Sequence, residues 1–184
     1  MIEYIKEYPT KEDCGVDKGI ALMGIYKRVY LRPKLVVFLK LFGALSVIYV
    51  AFAYLATCAW LYQHNSVEEC VRFVLASAIP FILVSAVRLI LNYERPYELV
   101  DLKPFEKMRK KRKAGKSFPS RHVFSAFLIG TLLLSYTPTI AVATLGVGLF
   151  LAVARALLGI HFPKDVFFGG VFGVLFGLVG TLIL

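Results

Sequence analysis

Residues 41–62 read LFGALSVIYVAFAYLATCAWLY and contain no charged side chain. An α-helix needs about 20 consecutive apolar residues to cross the hydrocarbon core of a bilayer. Lys40 precedes the stretch and can extend its amine to one interface, whereas Trp60 and Tyr62 suit the opposite interface. The stretch therefore predicts a membrane-spanning helix.

Four more apolar segments of similar length follow this one. Pro80 lies inside the first of them and is expected to kink that helix, and Pro138 marks the turn between two others. Glycines recur every four positions in the last segment, a pattern typical of close helix packing in membranes. The predicted spans cover residues 71–91, 120–136, 139–158 and 166–184.

Segment 16–32 differs from these spans because it is short and mixes apolar with basic residues. Such a composition favours a helix that lies on the membrane surface. The predicted fold class is all-α, an integral membrane helical bundle of about five transmembrane helices with an N-terminal interfacial helix. We expect residues 1–34 to form the surface segment and residues 35–184 to form the transmembrane domain, with an active-site loop at 92–119.

The composition of the whole chain agrees with these segments. Of its 184 residues, 58% are hydrophobic, and the mean hydropathy of +0.69 is far above that of an ordinary soluble domain. The formal net charge is +10, and the basic residues lie beside apolar spans. We therefore expect the partners to be the membrane and a lipid phosphate rather than nucleic acid, and the oligomeric state stays open.

Three cysteines show no spacing typical of metal ligands. Cys58 lies near the end of one predicted span and Cys70 just before the next, so a bridge between them is geometrically conceivable. The sequence leaves this pairing open.

Three charged strings lie at the ends of the predicted spans. Charged side chains next to a bilayer are costly to keep, so a cluster of them predicts a functional site. Because successive spans cross the membrane in alternate directions, all three strings fall on the same face. They are Arg88-x6-Arg95-Pro96, Pro119-Ser120-Arg121-His122 and Arg155-x5-His161-x3-Asp165.

The residue types in these strings suit the binding of a phosphate group. A guanidinium is always protonated and offers a planar fork that matches phosphate oxygens, as Arg88, Arg95 and Arg155 could do. The amides at the start of the third span form a positive helix end, and the hydroxyl of Ser120 can donate one more hydrogen bond. A structural interpretation remains for each alone, because arginines also anchor helices at interfaces and serine caps helices.

The histidines suit attack on phosphorus. His161 can act as a nucleophile if Asp165, four residues later, fixes its tautomer. His122 would then be the general acid that protonates the leaving alkoxide and later activates water. The sequence contains no carboxylate cluster suited to magnesium or zinc, so we expect neither a metal nor another cofactor. Alone, His161 could be a structural residue and Asp165 a helix cap.

As an ordered set inside a membrane chain, the strings resemble the signature motifs of the type-2 phosphatidic acid phosphatase superfamily. Its pattern is Lys-x6-Arg-Pro, then Pro-Ser-Gly-His, then Ser-Arg-x5-His-x3-Asp. The resemblance implies an all-helical membrane bundle and metal-free removal of phosphate from a lipid through a phosphohistidine. It implies His161 as nucleophile, His122 as acid and Asp165 as orienting residue, with Arg88, Arg95, Ser120, Arg121 and Arg155 around the phosphate.

Three positions depart from that pattern. Arg88 replaces lysine and keeps the charge, and Arg121 replaces glycine, so that its side chain can touch the headgroup or a second phosphate. Ala154 replaces serine and removes one hydroxyl donor, worth about 1 kcal/mol. None of the three changes removes a group with a covalent or proton-transfer role.

Loop 92–119 is rich in lysine and arginine, whereas the opposite loops, which include residues 63–70, contain neither. The positive-inside rule therefore predicts a multi-pass protein of the cell membrane with a cytoplasmic catalytic face. The expected substrates are phosphatidic acid, phosphatidylglycerophosphate or undecaprenyl diphosphate. The alternative is a non-catalytic membrane protein that binds or carries anions or lipid phosphates, which would not need His161.

Overall fold

The structure is a computed structural model that describes residues 16–100, 102–111 and 115–182, with the side chains of residues 16–21 and 111 outside that description. Within these ranges the regular elements are helices, and no β-strand occurs. The long helices are α1 (Val16–Tyr30), α2 (Pro33–His64), α3 (Val67–Leu91), α6 (Arg121–Leu132), α7 (Pro138–Leu157) and α8 (Pro163–Thr181). Between α3 and α6 lie the shorter helices α4 (Pro96–Leu99) and α5 (Lys103–Lys111).

Four of these helices, α2, α3, α7 and α8, are long and apolar enough to cross a membrane. A fifth apolar segment, 121–135, combines α6 with a 3₁₀ turn at Leu133–Ser135 and is shorter. The predicted all-α membrane bundle with an N-terminal interfacial helix is therefore confirmed. The largest difference in bounds is at α2, which begins at Pro33 because proline favours the first turn of a helix.

Helix α6 lies at the centre of the bundle, where Val123, Phe124 and Leu128 are buried. Helix α8 approaches α6 closely through the glycines that recur every four residues, which the sequence predicted to be a packing surface. A Cβ atom at Gly173 would lie 2.6 Å from the carbonyl oxygen of Phe124, so only glycine permits this approach. Large apolar side chains on the outer helices, such as Phe52, are exposed and suit contact with lipid.

The interfacial elements pack together at the end of the bundle that carries the charged strings. Tyr26 of α1, Tyr97 of α4 and Phe105 of α5 form a buried aromatic cluster. The hydroxyl of Tyr30 donates a hydrogen bond to the carbonyl of Leu158, 3.1 Å away. The predicted hydrophilic loop 92–119 thus contains two short helices, because its apolar residues find partners on α1.

Cys58 and Cys70 are free thiols in this structure, and Cys14 lies outside the described residues. The thiol of Cys70 points to the carbonyl oxygen of Cys58 at 3.5 Å. The two cysteines are therefore neighbours in adjacent helices, as their positions suggested, but they are not bonded to each other.

Candidate active site

The three charged strings meet at one end of the bundle because each lies where a helix begins or ends. Helices α3 and α7 end near the site, and α4, α6 and α8 begin there. Among the predicted site residues, Arg88 and Arg155 occupy last turns, Arg95 and Ser120 precede first turns, and Arg121, His122 and Asp165 lie in first turns. His161 lies in the turn between α7 and α8.

Asp165 is completely buried and holds the turn before α8 in place. Its Oδ2 atom accepts a hydrogen bond from the backbone N–H of Phe162 at 2.9 Å. The same oxygen accepts a hydrogen bond from the hydroxyl of Ser117 at 2.5 Å. Asp165 therefore acts as a helix cap and also faces the histidine, so the two interpretations of this residue are compatible.

His161 is 1% exposed, and its Nδ1 atom points to Ser117 and Asp165. The distance from Nδ1 to Oδ2 of Asp165 is 3.8 Å, whereas the hydroxyl oxygen of Ser117 lies 3.5 Å from Nδ1. Both distances are at or beyond the limit of a hydrogen bond, so the three groups form a loose cluster with Ser117 at its centre. A proton on Nδ1 would face this cluster and leave the lone pair on Nε2.

Burial lowers the pKa of His161 to about 4. Its contact with the carboxylate of Asp165 opposes this shift, and the charges of Arg95 and Arg155 add to it. The ring is therefore neutral near pH 7, which is the protonation state that a nucleophilic histidine requires.

Sequence reasoning missed Ser117. This side chain is fully buried and reaches both predicted catalytic partners from a loop that is distant from them in the chain. Its only sequence signal is its position three residues before Ser120, beside one of the charged strings. A single serine at such a position does not indicate a contact 48 residues away.

Arg88 and Arg95 connect the loops that form the site. Arg88 is 6% exposed, and its Nη1 atom donates to the carbonyl of Pro119 at 2.9 Å. Arg95 donates through Nε to the carbonyl of Gly115 at 3.0 Å, and through Nη1 to that of Ile160 at 3.5 Å. Both guanidinium groups thus lie beside the segments that lead to Ser120 and His161. In this structure they donate hydrogen bonds to backbone carbonyls of those segments.

Ser120 presents a buried hydroxyl that has no hydrogen-bond partner among the described residues. Its backbone N–H donates to the carbonyl of Asp165 at 3.0 Å, which ties the start of α6 to α8. A buried hydroxyl without a partner is unfavourable by about 1–3 kcal/mol. Its position at the positive end of α6 suits an anionic ligand that accepts this hydrogen bond.

His122 and Arg121 face a different side of the site. His122 is exposed, and both residues line a cavity of about 290 Å³ between α2, α3, α6 and α7. His122 lies in the first turn of α6, at the end of the bundle where α7 ends with Arg155 and the turn with His161 follows, and its side chain lines the cavity. The guanidinium carbon of Arg121 lies 5.9 Å from the centre of the Phe81 ring.

Interfacial helices cover the other side of the site. Burial raises the pKa of Tyr26 to about 12, and the negative charge of Asp165 adds to this shift. The ring of Phe105 packs against Gly159, whose φ of +66° suits glycine, two residues before His161. Helices α1 and α5 therefore support the turn that carries the histidine and shield it from water.

Few side chains at this end of the bundle are of the types that bind metal ions. Across the three described ranges, no group of three or more His, Cys, Asp or Glu side chains is arranged to hold a metal ion. The polar groups that converge at this end are arginines, hydroxyls, histidines and one carboxylate, a set that suits an anion.

Comparisons with known proteins agree on the fold. The fold is similar to the crystal structure of LpxE from Aquifex aeolicus, at 24% sequence identity and a TM-score of 0.65 over 94% of this chain and 98% of that one. It is also similar to a transmembrane PAP2 type phosphatidylglycerolphosphate phosphatase from Bacillus subtilis, at 18% identity and a TM-score of 0.68 over 90% of this chain and 85% of that one. Comparison with curated proteins gives no match.

The family comparison covers the part of the chain that contains all three charged strings. The sequence matches the family model of the PAP2 superfamily over residues 69–184, more than half of the chain. The chain therefore belongs to the PAP2 superfamily.

Proposed function

We propose that this chain is a membrane lipid phosphatase that removes phosphate from a lipid without a metal ion, through a phosphohistidine on His161. Membership of the PAP2 superfamily supports a membrane lipid phosphatase in general. The observation that carries the finer proposal is the buried His161 beside Asp165 and Ser117, at the end of the bundle that carries the arginines.

The reaction has two steps. In the first, the lone pair on Nε2 of His161 attacks phosphorus, the bond from phosphorus to the leaving oxygen breaks, and His122 protonates that oxygen. In the second, His122 removes a proton from water, and the water oxygen displaces His161 to release inorganic phosphate. Arg88, Arg95 and Arg155 balance the phosphate charge during both steps.

Asp165 and Ser117 support these steps without bonding to the substrate. They face Nδ1 of His161, so a proton held there keeps Nε2 available for attack. The Ser120 hydroxyl and the first amides of α6 provide further donors for phosphate oxygens.

The candidate substrates are phosphatidic acid, phosphatidylglycerophosphate and undecaprenyl diphosphate, and the proposed location is the cell membrane with a cytoplasmic catalytic face. The basic side chains of α5, including Lys107 and Lys110, are exposed at the catalytic end and support this orientation. Residues 1–34 would form the surface segment, and residues 35–184 the phosphatase domain.

The test is phosphate release by the purified full-length protein in detergent with excess chelator. His161→Ala is expected to abolish release, because no other group replaces the nucleophile. His64→Ala is the matched control, because His64 is exposed at the opposite end of the bundle.

A labelled intermediate gives a second readout. Wild-type protein quenched during turnover should carry phosphate that is labile in acid and stable in base, as expected for phosphohistidine, and His161→Ala should carry none. If folded wild-type protein binds lipid phosphate but releases none, the non-catalytic binding or carrier function replaces this proposal.

A further inference from the structure

The cavity beside His122 has a mixed chemical character. Most of its wall is apolar and comes from α2, α3, α6 and α7, as Val50, Phe81 and Leu151 illustrate. Arg121 is the one cation among the described residues that line it, and these include no carboxylate. A guanidinium on an apolar wall, with an aromatic ring as its observed partner, suits an anion that enters the cavity with an apolar group.

The position of His122 defines which part of the substrate occupies this cavity. The transferred phosphate lies at His161, and the acid must reach the oxygen that leaves. Since His122 lines the cavity, the leaving group extends into it. The cavity runs along α6 from His122 to Ile129, about 10 Å at 1.5 Å per residue, and this length accommodates the polar end of a lipid and the first part of its chain.

Arg121 therefore faces the leaving group rather than only the transferred phosphate. We propose that Arg121 binds a second phosphate carried by the leaving group, so that the substrate class is lipids with one phosphate between the transferred phosphate and the apolar chain. This inference rests on the proposed function. A leaving group without an anion, such as diacylglycerol, would leave the guanidinium with no negative charge to bind.

For a lipid diphosphate, the bond that breaks joins the transferred phosphorus to the bridging oxygen. The bridging oxygen leaves with the lipid monophosphate, takes a proton from His122, and the electron pair of the broken bond stays on it. Arg121 stabilises the negative charge that this phosphate already carries. Phosphatidylglycerophosphate offers the same chemistry from a different source, because its second phosphate is a phosphodiester beyond a glycerol.

Two substrate pairs separate these sources. Farnesyl diphosphate and farnesyl monophosphate share one chain and differ by the second phosphate. Phosphatidylglycerophosphate and phosphatidic acid with identical acyl chains form the other pair. For each pair, the quantity measured is the ratio of kcat/KM for the two-phosphate lipid to that for the one-phosphate lipid, in detergent with chelator.

Wild-type protein is expected to prefer the two-phosphate member of at least one pair. Arg121→Gln should lower the kcat/KM ratio of that pair about ten- to hundredfold, because one or two charge-assisted hydrogen bonds are lost. Arg121→Lys should restore part of it. Lys164→Gln is the matched control, because Lys164 is a cation at the same end, also beside an aromatic ring, and does not line the cavity. This control should leave the ratio unchanged.

The pair that responds identifies the source of the second phosphate. A ratio that falls only for the farnesyl pair assigns a diphosphate, and one that falls only for the glycerolipid pair assigns a phosphodiester. The role of Arg121 would be overturned if wild-type protein hydrolyses the lipids with kcat/KM ratios of one or less for both pairs. It would also be overturned if Arg121→Gln leaves these ratios unchanged. Either result would leave the proposed phosphatase intact. Folded wild-type protein that releases no phosphate from any of the four lipids would overturn both.

Discussion

The two ends of the bundle stabilise their polar groups in different ways. At the end opposite the site, the ion pair of Arg72 with Glu68 joins residues four apart on one helix, and both side chains are exposed. At the catalytic end, Ser117 contacts His161 and Asp165, which lie 44 and 48 residues away in the chain, and all three side chains are buried. A pair of side chains on one helix can form whenever that helix forms. The buried cluster forms only when separate segments of the chain pack together, so its polar groups depend on the whole bundle.

The largest contrast should come from the carboxylates. Asp165→Ala removes both the cap of α8 and the group that faces Nδ1 of His161, so phosphate release should fall by about 10²–10⁴-fold, as when a triad loses its orienting residue. Glu68→Ala removes an exposed ion pair at the opposite end and should change neither activity nor melting temperature measurably. Equal effects of the two variants on kcat would show that the buried cluster does not support the reaction.

Two serines allow a finer comparison. Ser117→Ala removes the hydroxyl that bridges His161 and Asp165, and we expect kcat to fall about 10–100-fold with a shifted pH profile, while Ser117→Thr restores part of the rate. Ser66 caps α3 at the other end by accepting from the N–H of Glu69, so Ser66→Ala should lower stability by about 1 kcal/mol and leave kcat unchanged. A Ser117→Ala enzyme with wild-type kcat and pH profile would remove Ser117 from the mechanism.

Acid should affect the histidines at the two ends differently. The pKa of His161 is about 4 in the folded protein and about 6.5 in an unfolded chain, so between these values the unfolded state binds the proton and the folded state does not. His161 should therefore lower the free energy of unfolding as pH falls from about 6.5 to 4, by at most about 3 kcal/mol.

Melting temperatures measured across this pH range test that expectation. Wild-type protein and His64→Ala should lose stability with acid, and His161→Ala should lose less. The same slope in all three proteins would mean that His161 is not responsible.

Glycine substitutions give the smallest expected effects and compare packed with open positions in the bundle. A Cβ at Gly173 would meet the backbone of α6, so Gly173→Ala should lower stability by about 1–3 kcal/mol. Among the described residues, nothing outside the neighbouring backbone of α7 lies within 4 Å of a Cβ built at Gly146, so Gly146→Ala should raise stability by about 0.5–1 kcal/mol. Thermal unfolding in detergent measures both, and a neutral Gly173→Ala would contradict the close approach of α8 to α6.

The fold could be predicted from the sequence because the bilayer imposes one simple requirement. A chain in hydrocarbon must satisfy its backbone groups internally, so runs such as 41–62 can only be helices, and their length and order follow from composition. The order of the spans also predicts that the arginines and histidines share one end of the bundle. Successive spans cross the membrane in alternate directions, and the three strings lie where these spans end or begin on the same face.

Only the tertiary structure decided the contacts inside that end. Ser117 donates a hydrogen bond to Asp165, which lies 48 residues later in the chain. The ring of Phe105 packs against Gly159 from α5, a helix in the loop for which the sequence predicted no helix. Likewise, Arg121 stands where the family pattern has glycine, but its place on a cavity wall depends on α2, α3 and α7 together. Hydropathy reports the local cost of placing a residue in lipid, whereas these contacts depend on how side chains from separate helices fill the same space.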